Sequence, residues 1–333
     1  MMKAIQFRAF GGPEQLSLVD IDAPRPQPGQ IAIDVHAAGV NFAEIMHRKG
    51  TLGGDPIAVP GLEVAGVVTE LGANVGKFAL GEQVAAFSWS PGRSLNGYAE
   101  RVVVDARLAI SLRRAERVLS FEEGAGFPCA AVTAYQLLAD VARIRRGDTV
   151  LIHAAAGGVG TLAAQYAKAL GAAKVIGVVG SDAKREAALN AGYDAVLLHK
   201  EFDKAIGDQT NGEGVDIVLE SLGGETLIRS LGVLKPMGRV AYFGNASASE
   251  AAKLSAFDLW FGAKGVLGYT ISGLAAAHPD RWYQAAEAAI RLVESGAVHL
   301  QPSRVLPLSE ARQAHELIEA RQATGKLILS VSR

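Results

Sequence analysis

The stretch Asp148–Gly171, DTVLIHAAAGGVGTLAAQYAKALG, constrains the fold more than any other part of the chain. An apolar run, Val150–Ile152, ends in small residues and glycines, and an alanine-rich amphipathic segment follows at once. That order predicts strand, tight turn, helix. Glycines let backbone N–H groups approach a ligand closely, and a helix N-terminus offers unpaired donors and a positive dipole end to an anion. The spacing Ala155-x-Gly157-x-x-Gly160 follows the G-x-G-x-x-G pattern of dinucleotide turns, with Ala in place of the first glycine and Gly158 extra. Alone it also suits an ordinary glycine-rich turn. A second apolar run, Lys174–Val179, closes a βαβ unit of roughly thirty residues, as the dinucleotide reading requires. Where an acid would meet a ribose 2′-OH, the chain has Gly180-Ser181, then Asp182, Lys184 and Arg185. A hydroxyl and nearby cations suit a 2′-phosphate better than a bare ribose. Asp182 pulls the other way, and on balance NADPH is favoured over NADH.

Charge and length exclude several classes. The 333 residues suffice for about two domains. Lys+Arg 33 against Asp+Glu 34 leaves a formal charge of −1, with no basic field for nucleic acid. No apolar run reaches the roughly eighteen residues of a membrane span, and the opening MMKAIQFRAFGG lacks the apolar core of a signal peptide. A single cysteine, Cys129, rules out an internal disulfide and a Cys-rich zinc site. The expectation is a cytoplasmic protein without nucleic-acid or membrane partners.

Before residue 125 the chain reads as mostly β, with strands expected at Lys3–Arg8, Leu16–Ile21, Ile31–Ala37, Val64–Leu71, Gln83–Phe87 and Tyr98–Val104. One helix is expected over Asn41–Lys49, with Asn41 as its cap. A capping box is expected at Ser120 and Glu123, and a helix over Ala130–Leu138. Strands and helices then alternate to about Tyr269, which means a parallel doubly wound sheet. Its strands are Val150–His153, Val175–Val179, Ala195–Leu198, Val215–Glu220, Val240–Phe243 and Gly265–Gly268. The last part, with helices at Arg281–Ser295 and Ser309–Arg321 and strands at Arg304–Leu306 and Lys326–Val331, rejoins the first domain.

Taken together, Phe10–Glu14, Ala38–Gly50, Pro60–Val68, His153–Gly160, Val215–Gly224, Leu234–Ala246 and Gly325–Leu327 carry a resemblance over nearly the whole chain. The chain resembles the medium-chain dehydrogenase/reductase superfamily, and within it the zinc-free, zeta-crystallin-like quinone oxidoreductase branch. The resemblance implies an α/β fold. A GroES-like, partly open β-barrel catalytic domain would span residues 1–125 with 272–333, and a Rossmann domain residues 126–271. Zinc-dependent relatives carry a Cys, a His and a second Cys as metal ligands; here Asn41, Leu62 and Cys129 stand at those places. One thiolate does not replace three ligands, so no metal is expected. Cys129 reads as a small buried residue.

The implied activity is NADPH-dependent hydride transfer to a quinone or an α,β-unsaturated carbonyl, acceptors electron-poor enough to need no metal. Asn41, Phe42 and Thr133 would lie at the nicotinamide, Asn41 as the polar group nearest the acceptor. Ala156, Gly157, Gly158 and Val159 would cradle the pyrophosphate. Gly180, Ser181 and Lys184 would hold the 2′-phosphate, and His199 would meet the adenosine. Leu222, Phe243, Gly244, Asn245, Leu267, Gly268 and Tyr269 would line the cofactor at the sheet's carboxyl edge, and Lys326 would reach back to its phosphates. The Trp89–Gly97 and Ile271–Asp280 loops would border the acceptor. A homodimer is expected through the edge strand Gly265–Thr270. Two alternatives stay open: an enoyl-thioester reductase, and a cofactor-binding protein with little turnover.

Overall fold

The computed structural model describes residues 1–88, 96–115, 117–249 and 252–331; most of the Trp89–Gly97 loop, residues 89–95, lies outside them. The chain forms two compact units. One comprises Met1–Val132, Ile271–Glu294 and Leu300–Arg333, the other Thr133–Thr270 with Ser295–His299. The first break falls at residue 132 rather than 125. The reason is that the helical run after Phe121 keeps packing on the β-sheet of the first unit through Phe127–Ala131.

In the first unit β1 (Met2–Gln6) pairs antiparallel with β2 (Ser17–Ile21). Then come β3 (Gln30–Val40), β4 (Glu63–Leu71), β5 (Gln83–Phe87), β6 (Arg101–Asp105) and β7 (Ala109–Ser111). β3 is the spine: β4 runs along most of it, and β6 pairs with its first half. Alternation sets the core. Ile31, Ile33 and Val35 on β3, Val84 and Ala86 on β5, and Val102 and Val104 on β6 all enter one buried cluster. β7, only three residues long, escaped the sequence reading.

The second unit is a six-stranded parallel sheet. Its strands are β8 (Thr149–His153), β9 (Lys174–Val179), β10 (Ala195–Leu198), β11 (Val215–Glu220), β12 (Leu234–Tyr242) and β13 (Gly265–Gly268). They lie in the order β10-β9-β8-β11-β12-β13. Chain order reverses between β8 and β11, the switch point at which open α/β sheets bind ligands. Helix Phe202–Thr210, which the sequence reading did not single out, is anchored by buried Phe202 and Ile206.

The chain returns to the first unit with β14 (Pro302–Pro307) and β15 (Lys326–Ser330), and β15 pairs with the second half of β3. Ile271–Ala277, expected as part of a loop, is a helix. Buried Ile271 and Ala275, four residues apart, fix its inner face. Among the described residues no helix is long and apolar enough to cross a membrane.

Candidate active site

Each unit presents its own set of candidate side chains. In the second unit they gather at the carboxyl ends of the parallel strands. β8 ends at His153, and Ala154 takes a left-handed φ of 50° to start the turn. Helix Gly158–Ala169 begins with Gly157 as its N-cap, and no side chain caps its first turn. Ala155 and Ala156 are buried, while Gly157, Gly158 and Val159 are half-buried. A Cβ on Gly160 would lie 2.4 Å from the Ala154 carbonyl oxygen and 2.7 Å from that of Ala155, so only glycine lets the helix pack this closely on its turn. The missing first glycine is compensated across the sheet. A Cβ on Gly177 of β9 would sit 2.8 Å from the Ala155 methyl, so Gly177 supplies the room that Ala155 takes up.

At the end of β9, Gly180 and Ser181 are exposed and Lys184 is half-buried. Asp182 is tied to Arg185, whose Nε lies 2.7 Å from the carboxylate. Arg185 also donates to the Val196 carbonyl oxygen. The acid that argued against a phosphate is thus held by its own neighbour. After β10, His199 Nε2 lies 3.0 Å from Thr226 Oγ1, which orients the ring.

Glu220, at the end of β11, was not singled out from the sequence. It is fully buried, and its two oxygens accept the N–H groups of Leu222 (2.7 Å) and Gly223 (2.9 Å), folding the turn that presents Leu222. Burial raises its carboxyl above the usual range. Opposite it, after β12, Phe243, Gly244 and Asn245 are half-buried. Asn245 donates from Nδ2 to the Ser249 carbonyl at 3.2 Å, while its Oδ1 is buried without a partner. At the end of β13, Leu267 and Gly268 are exposed, and Tyr269 after it donates its hydroxyl to Gln136 Oε1 at 2.7 Å. Gln136 follows buried Thr133 by three residues on one helix, which brings Tyr269 to the same face as Thr133.

The first unit holds a buried polar network at the end of β3. Asn41 begins helix Phe42–Arg48, and half-buried Phe42 follows it. The backbone N–H of Asn41 donates to Glu44 Oε2 at 2.8 Å, and its Nδ2 donates to Glu44 Oε1 (3.2 Å) and Glu63 Oε1 (3.1 Å). Glu63 Oε2 accepts the backbone N–H groups of Cys129 (2.7 Å) and Ala130 (3.3 Å). Trp282 Nε1 donates to Pro128 O at 3.2 Å and braces the same helical run. At the far end of helix Phe42–Arg48, fully buried Arg48 pairs with Glu319.

Two of the expected site residues are engaged by other groups here. Lys326 is held inside the first unit. It is 6 % exposed, and its ammonium lies 2.9 Å from Val40 O, 2.6 Å from Asn41 Oδ1 and 2.5 Å from Glu63 Oε1. Three N–H bonds are thereby spent inside the first unit. Asn41 has likewise committed both amide hydrogens and its oxygen to this network. Glu44, fully buried, was not singled out from the sequence. The Asn-x-x-Glu spacing at a helix start was its signal.

Two family models match the chain: the alcohol dehydrogenase GroES-like domain over residues 27–114 and the zinc-binding dehydrogenase over residues 158–291. Quinone oxidoreductase from Sus scrofa is 34% identical over 339 residues, covering 99% of this chain and 98% of its own. A 2-haloacrylate reductase from a Burkholderia species is 32% identical, with 99% of both chains covered. The crystal structure of Escherichia coli quinone oxidoreductase complexed with NADPH superposes with a TM-score of 0.88 at 32% identity, covering 98% of this chain and 99% of that one. Together with a parallel sheet that gathers a glycine turn and its partners at one edge, these matches place the chain in the medium-chain dehydrogenase/reductase superfamily, in its quinone oxidoreductase branch.

Proposed function

We propose that the chain is an NADPH-dependent, metal-independent reductase of quinones or α,β-unsaturated carbonyl compounds. The observation that carries the reading is the carboxyl edge of the second unit, where a helix start at Gly158 with no side-chain cap and the Gly180–Lys184 segment follow neighbouring strands and suit two anions. When bound, NADPH supplies the hydride. The chain's own groups do the rest. Gly157–Val159 hold the pyrophosphate by backbone N–H groups. Ser181 and Lys184 take the 2′-phosphate, with Asp182 neutralised by Arg185. Leu222, Asn245 and the Leu267–Tyr269 backbone orient the nicotinamide half, with Thr133 beside it.

Zinc does not suit the donor set. Asn41 and Leu62 stand where two ligands would be, and the Lys326 ammonium already occupies Asn41 Oδ1. Among the described residues no cluster of three or more His, Cys, Asp or Glu side chains could hold a metal ion. An electron-poor acceptor takes a hydride without a Lewis acid. The proton that completes the reduction comes from water or a weak acid.

Loss of NADPH absorbance tests the reading with phenanthrenequinone, a 2-alkenal, a 2-haloacrylate and crotonyl-CoA in turn. Turnover of the quinone or the enone is expected. Preference for the thioester, or tight binding without turnover, would replace this reading by one of the two alternatives. Lys184→Glu should raise the KM for NADPH about tenfold, the worth of one charge-assisted contact, and leave that for NADH unchanged. Equal effects on both coenzymes would remove Lys184 from the 2′-phosphate.

We further propose that two copies pair through β13. It is the edge of its sheet, Leu267 on it is 42% exposed, and the preceding helix Ala256–Phe261 exposes Phe257, Trp260 (75%) and Phe261 (79%). A paired edge and a covered aromatic patch remove two liabilities together. Trp260→Asp should shift the sedimenting mass from a dimer to one chain. A wild-type mass of one chain would reject the pairing.

A further inference from the structure

By the resemblance, Asn41 stands at the first metal-ligand position of zinc-dependent relatives and Cys129 at the third, and both are tied to the Lys326 network. The ammonium of Lys326 contacts Asn41 directly and Glu63 directly, and Glu63 in turn binds the backbone of Cys129. We propose that Lys326 is a built-in counter-cation: its tethered ammonium organises, as a bound cation would, the Asn41–Phe42 turn and the helical run at Cys129. It is a positioning residue, not a contact to the coenzyme. The inference rests on the metal-independent reading above and names the group that stands in the metal's place.

The geometry is that of a built site. The ammonium gathers the end of β3 through Val40 O and Asn41 Oδ1, and the start of β4 through Glu63. Glu63 carries the link on to Cys129 and Ala130. Lys326 itself comes from the start of β15, 285 residues from Asn41. A Cβ on Gly39 would lie 2.6 Å from Glu63 Cγ, so glycine there leaves room for the Glu63 side chain. The buried Glu63 carboxylate pairs with this ammonium. Removing the ammonium leaves Glu63 without a counter-charge, which is costly in a dry interior.

Chemical rescue separates this role from a phosphate contact. Lys326→Ala, studied without coenzyme, should lower the thermal midpoint by roughly 10 °C, from the cost of breaking a buried pair. Propylammonium should restore most of the loss and saturate, because it fits the vacated stem and brings three N–H donors. Sodium chloride at equal ionic strength and tetramethylammonium, which has no N–H, should restore little. An unchanged midpoint with only the KM for NADPH raised would return Lys326 to the phosphates and overturn the proposal, as would rescue by every salt alike. Should the alanine variant not fold, Lys326→Met is compared with Lys326→Met combined with Glu63→Gln. The double variant should be the more stable, and additive losses would overturn the proposal. Zinc measured in the wild-type chain keeps the two readings apart: one zinc per chain would reject metal independence whatever the amine does.

Discussion

Gly160→Val should weaken NADPH binding about a hundredfold and destabilise the second unit by about 3 kcal/mol. A side chain at this position meets two backbone carbonyl oxygens, at 2.4 and 2.7 Å from its Cβ, and backbone cannot rotate away as a side chain can. Overpacking of that kind costs typically about 1–3 kcal/mol, and a branched residue falls at the upper end. Relief comes only by moving Ala154–Gly157 off the helix start, which takes with it the N–H groups proposed to hold the pyrophosphate. Loss of two bonds to a charged group is worth about 3 kcal/mol, and that is the hundredfold. Tyr193 adds to the damage, since its hydroxyl donates to Gly160 O at 2.7 Å. Gly207→Ala is the control. It lies in helix Phe202–Thr210, a Cβ there meets nothing within 4 Å, and alanine should gain up to about 1 kcal/mol. Fluorescence titration with NADPH and urea unfolding check both. Near-native affinity in the valine variant would mean that the turn does not hold the pyrophosphate.

What could be read in the sequence follows from the range of the forces involved. The glycine turn, the βαβ unit and the capping box at Ser120 are written in residues a few places apart, and the structure has them where spacing put them. The Ile271–Ala277 helix was not visible because ISGLAAA carries a glycine and too few apolar residues to show a period. Its buried pair acquires meaning only once a partner surface exists. Helix Phe202–Thr210 is hidden in the same way, since Gly207, Asp208 and Thr210 are weak helix formers held by two buried anchors. The candidate site divides along the same line. Residues after the strands follow from topology, because every parallel strand ends at one edge. Lys326 does not: a lysine at a strand start reads equally as surface, phosphate ligand or buried ion, and its meeting with Asn41 and Glu63 is a property of the closed sheet. Ala155, an apparent defect in the motif, makes sense only against Gly177 on the next strand.

The second large effect is on pH. Wild-type stability should fall by about 3 kcal/mol as pH rises from 4.5 to 7 on account of Glu44 alone, and Glu44→Gln should remove that fall. Burial pushes the Glu44 carboxyl up to about 7 from an ordinary 4.5, while Lys326, the Asn41 amide and the Leu62 N–H pull the other way without cancelling it. The charge count explains the direction. With Glu44 protonated, the network is one neutral acid beside a Glu63–Lys326 ion pair; with Glu44 ionised, two carboxylates share one ammonium. The sign follows from proton binding. Below about pH 4.5 the group is protonated folded and unfolded, and no penalty exists. Between 4.5 and 7 the unfolded chain has lost its proton and the folded chain keeps it, so stability declines with pH. Above 7 both are ionised and the full penalty stands. A difference of 2.5 units, 7 less 4.5, corresponds to about 3 kcal/mol. Glutamine keeps the size and remains neutral throughout. Its unfolding midpoint in urea, set against wild type, should therefore improve between pH 5 and pH 8. Parallel profiles for the two proteins would mean that Glu44 is ionised in the folded chain across this range and that the network carries its extra charge at no cost.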